Sequence, residues 1–320
     1  MKNLLITGGS GTVGQAFIRE NIDKYNFFSY ARNEKLQVAL KRNFPEVEII
    51  FGSVEKKTEL LNAIRKAKPE IIIHAAALKH VDTAEKQPSL AIKTNILGSL
   101  NVVESAILEE VPLTVGISTD KACSPDNLYG KTKYFMERIF HEHNNEKNRF
   151  ICCRFGNVAW SNGSVIPLWM NLARENKPLP ITSKDMTRLI FSGSEASKLI
   201  GESLKIVKKE KRSFILSKRM KKVNMLKMAK LISSSIKIIG LRSGEVLSED
   251  LISKEEIKFT KVLDNEYLLI TPDKEVKLSD QLKVPLSSSN AEEMSEKEMM
   301  DLIHGVQDIG SRSSLEQKEY

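Results

Sequence analysis

The sequence predicts a doubly wound α/β fold, a Rossmann-type parallel sheet with helices on both faces and a smaller C-terminal α/β lobe. Three observations predict it. Apolar runs alternate with helix-period segments through the first half of the chain. Those runs are continuous rather than alternating, as strands buried on both faces require. A glycine-rich turn separates the first run from the first amphipathic segment.

Taken in order, strands are expected at residues 4–7, 27–31, 47–51, 71–74, 113–118 and 150–154. Helices are expected between them at 12–21, 34–42, 57–67, 90–108 and 128–142. After Asn157 the pattern loosens, and 159–185, with Trp160, Pro167, Pro178 and Pro180, reads as loops crossing a cleft. Residues 195–207 return to a helix period and 213–216 form a further strand. A helix at 223–232 and short strands at 236–239 and 267–270 are expected to build the second lobe. The last helix, 291–303, is expected to start after Ser289-Asn290, with Glu292 and Glu293 suiting its positive end. The domain boundaries follow: 1–158 binds a dinucleotide, with 186–218 returning to it, and 159–185 with 219–303 forms the substrate lobe. Residues 304–320 read as a polar tail.

Composition narrows the class. A chain of 320 residues with 41% hydrophobic and 28% charged residues has the make-up of an ordinary globular protein with a sizeable core. No run approaches ~20 apolar residues, so no membrane span is expected. The N-terminus enters the first strand without a charged leader or a long apolar region, so a cytoplasmic location is expected. Three cysteines cannot frame a disulfide scaffold, and the adjacent Cys152 and Cys153 read as buried thiols. No metal site is expected, because His141-Glu142-His143 offers too few ligands at poor spacing. The net charge of +8 has its densest source at Lys205, Lys208, Lys209, Lys211, Arg212, Lys218, Arg219, Lys221 and Lys222. Only Phe214 interleaves with them, so they read as a solvated basic face that favours an anionic substrate, not as a nucleic-acid surface.

Thr7-Gly8-Gly9-Ser10-Gly11-Thr12-Val13-Gly14 follows the first strand and opens the first helix. Glycines there let the backbone turn sharply and approach a pyrophosphate, which rests on the positive helix N-terminus. The strand–turn–helix context makes this a dinucleotide site. The second strand ends Ala31-Arg32-Asn33-Glu34-Lys35. Arg32 offers a planar fork for a 2′-phosphate and Lys35 stands close by, so NADP is favoured over NAD. Glu34 argues the other way, unless it only complements the helix dipole.

Ser118-Thr119-Asp120-Lys121 comes at the end of the fifth strand, where open α/β sheets place their ligands. Tyr129 and Lys133 follow, one helical turn apart on one face. A lysine so placed can favour the phenolate and hydrogen-bond a nicotinamide ribose. The alternative is an exposed pair with no partnership. Asp120 has its own alternative, a structural cap on a turn before Pro125.

These blocks resemble the extended short-chain dehydrogenases that act as UDP-N-acetylglucosamine 4,6-dehydratases, over about residues 3–303. The resemblance rests on the segment from His74 to Val81, on Thr94 to Asn101, on Ser118 to Ala122 and on Asn127 to Lys133. Arg154 to Val158, Gly163 to Pro167, Met186-Thr187-Arg188 and Gly240 to Glu245 complete it. Lys121 discriminates: related dTDP-glucose and GDP-mannose dehydratases carry a glutamate after the acid, and 4-epimerases lack the Asp-Lys pair.

The resemblance implies a site. Besides Gly8, Ser10, Gly11, Thr12, Val13 and Gly14, it assigns the dinucleotide to Arg32, Lys35, Ser53, Val54, Ala75, Ala76 and Ala77. Lys79, Asn95, Tyr129 and Lys133 complete that set. It assigns the nucleotide sugar to Lys79, Asn157, Ser164, Val165, Arg188, Arg242 and Glu245. Tyr129, aided by Lys133, takes the 4-hydroxyl proton while hydride leaves C-4 for NADP. Lys121 then removes the C-5 proton, Asp120 protonates the departing C-6 hydroxyl with Thr119 beside it, and hydride returns to C-6. The short members commonly invert C-5, whereas membrane-anchored relatives retain it, so inversion is expected here, with association into a dimer or higher homo-oligomer. Ser53, Asn162 and Ser243 depart from the aspartate, arginine and proline of the pattern. The UDP pyrophosphate is therefore expected to depend more on Arg188 and Arg242. A UDP-hexose 4-epimerase using Tyr129, a retaining dehydratase and a non-catalytic NADP-binding protein are the alternatives.

Overall fold

A computed structural model describes residues 1–305 of the chain; the expected tail lies outside the described residues from 306 onward. Six parallel strands form its centre: β1 (Lys2–Thr7), β2 (Tyr25–Ala31), β3 (Glu48–Phe51), β4 (Ile71–His74), β5 (Leu113–Ile117) and β6 (Arg149–Cys153). They run in the order β3-β2-β1-β4-β5-β6. Leu4, Leu5 and Ile6 are fully buried, so β1 is covered on both faces, which is why its apolar run has no alternation. In one helical layer α1 (Thr12–Asn21) packs against Gly193–Ile206, and in a second Lys57–Ala67 packs against Gly98–Leu108. The strand order reverses between β1 and β4, so the connections diverge there and leave a crevice at the carboxyl ends of the strands.

Several elements differ from the sequence reading. The helix expected at 90–108 is split into Pro88–Ala91, a π-helical turn Ile92–Leu97, and Gly98–Leu108. Thr94 and Asn95 are both buried within this wider turn. Residues 159–185 are not all loop: they contain the helix Val165–Arg174 and the strand Leu179–Ile181. Pro167 reads as a breaker, but it lies in the first helical turn, where no N–H has an intrahelical partner to lose. Residues 222–224 form a strand, and the next helix starts at Met225, capped by Asn224. The last helix starts at Glu296 rather than 291, because Ser295 and Glu298 form a capping box there.

Tyr267–Ile270, expected in the second lobe, belongs to the large sheet. Ile215–Lys218 runs parallel beside β6, and Tyr267–Ile270 and Thr260–Leu263 then close that edge antiparallel, making nine strands. A separate core gathers Ile166, Trp169, Leu179, Ile181, Met186, Met228, Met299 and Ile303. Strand Thr187–Phe191 joins the two cores: Leu189 and Phe191 face the main one and Ile190 the second. Its alternation lets one strand carry a cleft residue, Arg188, between two packed masses.

Cys152 and Cys153 are buried and, like Cys123, free. Among the described residues, three of the nine residues of the basic segment are ion-paired, Lys205 with Glu202, Lys218 with Glu266, and Lys221 with Glu292 and Glu298. Among the described residues no helix is long and apolar enough to cross a membrane, and no group of His, Cys, Asp and Glu is placed to hold a metal.

Candidate active site

A cleft of about 740 Å³ opens over the crevice, from Gly8 and Arg32 at one end to Trp169 and Met225 at the other. That volume lies within the range of ligand-binding clefts.

At the first end the chain has no room for side chains. Gly8 has φ +74°, and a Cβ on it would stand 2.8 Å from the Ala76 nitrogen. A Cβ on Gly14 would stand 2.5 Å from the Gly9 carbonyl oxygen. Gly11 caps α1 without any side-chain hydrogen bond, so the first N–H groups of that helix face the cleft unpaired. Backbone this close, with free donors at a positive helix end, fits a dinucleotide pyrophosphate. Ser10, Thr12, Val13, Ser53, Val54, Ala75, Ala76, Ala77 and Lys79 also line the cleft. Arg32 lines it at the end of β2, with its guanidinium 3.4 Å from Glu55, which also accepts the Thr94 hydroxyl. Lys35 does not reach the cleft; it sits exposed in the first turn of the helix Glu34–Asn43. Asn95 does not line it either. Its amide accepts from the Leu78 N–H at 2.7 Å and donates to the Leu78 carbonyl and to Thr132, so it braces the 75–79 segment from behind.

The middle of the cleft holds the titratable cluster. Asp120 and Lys121 lie in a single 3₁₀ turn after β5, and Tyr129 and Lys133 on the helix Leu128–His143, which Asn127 caps. Lys121 lines the cleft, and its Nζ donates to Asp120 Oδ1 at 3.1 Å and to Glu249 Oε2 at 2.8 Å. Two carboxylates hold it as an ammonium, its pKa pushed up despite burial. Asp120 is fully buried and does not line the cleft. Its Oδ1 also accepts from Thr119 and from the Lys121 N–H, whereas Oδ2 has no hydrogen-bond partner among the described residues. Burial first, and then the Glu249 carboxylate beside it, push the Asp120 carboxyl up to about 7. Glu249 moves the other way, down to about 2, because Lys121 and Arg188 outweigh its own desolvation.

Tyr129 is pushed up to about 12 by burial, opposed by Lys121 and by a hydrogen bond to Thr119. The cation acting on the phenol is therefore Lys121 rather than Lys133. Lys133 turns its amine inward onto Met136 Sδ at 3.0 Å, and burial lowers its pKa to about 8. His74 behind it is a core residue: it bridges Thr7 and Ser99, and burial lowers it to about 3.

At the far end Asn157, Ser164, Val165, Arg188, Arg242 and Glu245 all line the cleft. Ser164 caps Val165–Arg174 without a side-chain bond, and its hydroxyl has no partner among the described residues. A second positive helix end thus opens on the cleft. Arg188 is not free to hold a pyrophosphate. Its guanidinium donates to the carbonyls of Thr187, Val246 and Leu247 and lies 3.5 Å from Glu249. Arg242 is exposed, in a turn that Glu245 caps through the Arg242 N–H. Glu249 and Glu55 are the residues that sequence reasoning missed. Neither sits in a motif; each is identified only by the cation it meets across the fold.

The chain matches the family model described as "Polysaccharide biosynthesis protein" over residues 4–271. It is 35% identical to the inverting UDP-N-acetylglucosamine 4,6-dehydratase of Campylobacter jejuni, across 95% of this chain and 97% of that one. It is also 35% identical to a UDP-glucose 4-epimerase of Rickettsia bellii, across 83% and 82% of the two chains. Among solved structures, Pen from Bacillus thuringiensis superposes with a TM-score of 0.86 at 29% identity, covering 94% of this chain and 98% of that one. The chain belongs to the polysaccharide biosynthesis protein family, built on the extended short-chain dehydrogenase fold.

Proposed function

We propose that this chain is a UDP-N-acetylglucosamine 4,6-dehydratase that uses NADP and inverts C-5. The observation that carries the reading is the cluster at Lys121, a cleft-lining residue whose amine contacts a buried carboxyl and acts on a nearby tyrosine. Oxidation at C-4 needs only the tyrosine. Elimination needs a base for C-5 and an acid for the C-6 hydroxyl, and Lys121 with Asp120 supplies that pair. The dehydratase relatives support the substrate assignment. Arg32 at the end of β2 supports NADP.

The glycine turn and the free N–H groups of α1 hold the dinucleotide, which supplies oxidation at C-4 and reduction at C-6. Tyr129 accepts the 4-hydroxyl proton, with the Lys121 charge and the Thr119 hydroxyl favouring its phenolate. One proton passing from Lys121 Nζ to Asp120 Oδ1 along their 3.1 Å contact converts an ion pair into an amine and a carboxylic acid. A bound sugar dries the cleft and so lowers the preference for the charged form. The amine takes the C-5 proton and passes a proton to the C-6 oxygen, which departs as water, while Asp120 returns its own proton to Nζ through the same contact and restores the ion pair. Ser164, the helix end behind it and Arg242 receive the UDP pyrophosphate. Association into a homo-oligomer is supported by Leu108 and Phe135, more than half exposed on packed neighbouring helices.

The epimerase relative supports a second reading through Tyr129. Mass spectrometry of the product separates the two: a dehydratase yields a nucleotide sugar lighter by one water, and an epimerase leaves the mass unchanged.

A further inference from the structure

Nothing in the short motifs points to Glu249, yet it is the group around which the cluster is arranged. It reaches the cleft from the 242–252 segment, outside the strand and helix that carry the other catalytic groups. Its Oε2 accepts from Lys121 Nζ at 2.8 Å and its Oε1 lies 3.5 Å from Arg188 Nε. Arg188 is itself pinned by three backbone carbonyls, and the Glu249 N–H donates to Ser288 Oγ at 2.9 Å. The carboxylate is therefore held from both sides and cannot follow Lys121 if that side chain swings away. It is nearly fully buried, so its charge acts through a medium that screens little.

We infer that Glu249 is a positioning residue for the elimination half of the reaction: it fixes the Lys121 amine beside Asp120 and sets the charge under which that pair exchanges its proton. The inference rests on the dehydratase reading. Glu249 is the only carboxylate other than Asp120 seen at the Lys121 amine among the described residues. The charged and titratable groups facing the cluster are Asp120 and Lys121 from the turn after β5, Tyr129 from its helix, and Arg188 from Thr187–Phe191. Arg188 opposes Glu249, and Tyr129 is neutral at working pH.

The sign of its effect can be worked out. The productive pair, an amine and a carboxylic acid, holds one proton fewer than the fully protonated pair. It is lost as pH falls through the lower apparent pKa of the pair, which lies near the value of about 7 for Asp120. A nearby negative charge raises both members. Removing it lowers both, so the acid limb of the dehydration profile moves to lower pH.

The test is the pH profile of water loss from UDP-N-acetylglucosamine, read by mass, with C-5 proton exchange in deuterium oxide and reduced-cofactor absorbance read in parallel. Glu249→Gln is expected to move the acid limb down by about one pH unit or more and to slow C-5 exchange at least tenfold, while C-4 oxidation still reduces the cofactor. Glu249→Asp keeps the charge on a stem too short to meet Lys121 and Arg188 together. It is expected to leave the limb in place and slow elimination. A Glu249→Gln limb at the wild-type pH, or wild-type turnover in Glu249→Asp, overturns the inference. Should Glu249→Gln not fold, the Glu249→Asp result decides alone. A wild-type enzyme that releases no water overturns the dehydratase reading instead, so the two failures are distinct.

Discussion

Replacing Arg32 by aspartate tests how the cleft chooses its dinucleotide. Arg32 stands at the end of β2 with its side chain 59% exposed and its guanidinium 3.4 Å from Glu55. A charge-assisted hydrogen bond to a 2′-phosphate is worth roughly 1.5–3 kcal/mol, and this exposure argues for the lower end. Losing about 1.5 kcal/mol weakens NADP binding roughly tenfold. The new carboxylate also faces Glu55 and repels the phosphate, which extends the loss to as much as about 100-fold. NAD carries no such phosphate and is expected to bind Arg32→Asp at least as well as wild type. Calorimetric titration of both proteins with both dinucleotides measures the four dissociation constants. Equal NADP affinity in wild type and Arg32→Asp refutes the assignment of Arg32 as the phosphate reader.

Other substitutions probe the remaining groups. Tyr129→Phe removes the phenol oxygen and is expected to lower turnover by roughly 10²–10⁴ with the dinucleotide still bound; near-normal turnover moves the first proton transfer elsewhere. Lys121→Ala is expected to stop C-5 exchange in deuterium oxide and, because Lys121 is the cation acting on Tyr129, to slow C-4 oxidation as well. A 6-deoxy product labelled at C-5 at the wild-type rate shows that Lys121 is not the base. Asn95→Ala strands the Leu78 N–H and carbonyl behind the cleft, at a cost of roughly 1–3 kcal/mol each before relaxation or water. Its melting temperature is expected to fall by several degrees, and an unchanged value refutes the bracing role.

Much of this arrangement is legible in the sequence, because strands buried on both faces and helices with one wet face leave separate periods. Thr12–Asn21 and Lys57–Ala67 match their expected bounds, and the glycine turn lies where the crevice requires it. The misses have local causes. Pro167 hides a helix because its place in the first turn is invisible until the N-terminus is known. Tyr267–Ile270 reads as part of a second lobe because nothing in a short apolar run says which sheet it joins. The chemistry is legible as residue types but not as protonation. Asp120 and Lys121 are adjacent in sequence, yet Lys121 lines the cleft and Asp120 is fully buried beneath it. Lys133 keeps the expected spacing from Tyr129 but turns to Met136, and Arg188 lines the cleft with its guanidinium committed to backbone carbonyls and Glu249. These orientations are set by tertiary partners distant in the chain.

The account's central claim is dehydration with internal return of hydrogen, and UDP-N-acetylglucosamine carrying deuterium at C-4 tests it most directly. Incubated with the NADP-loaded enzyme in ordinary water and read by mass spectrometry and proton NMR, it should give a product lighter by one water. The label should appear in the new C-6 methyl group and C-5 should carry solvent hydrogen in the inverted configuration. A product of unchanged mass with deuterium still at C-4, or water loss without label at C-6, contradicts the account.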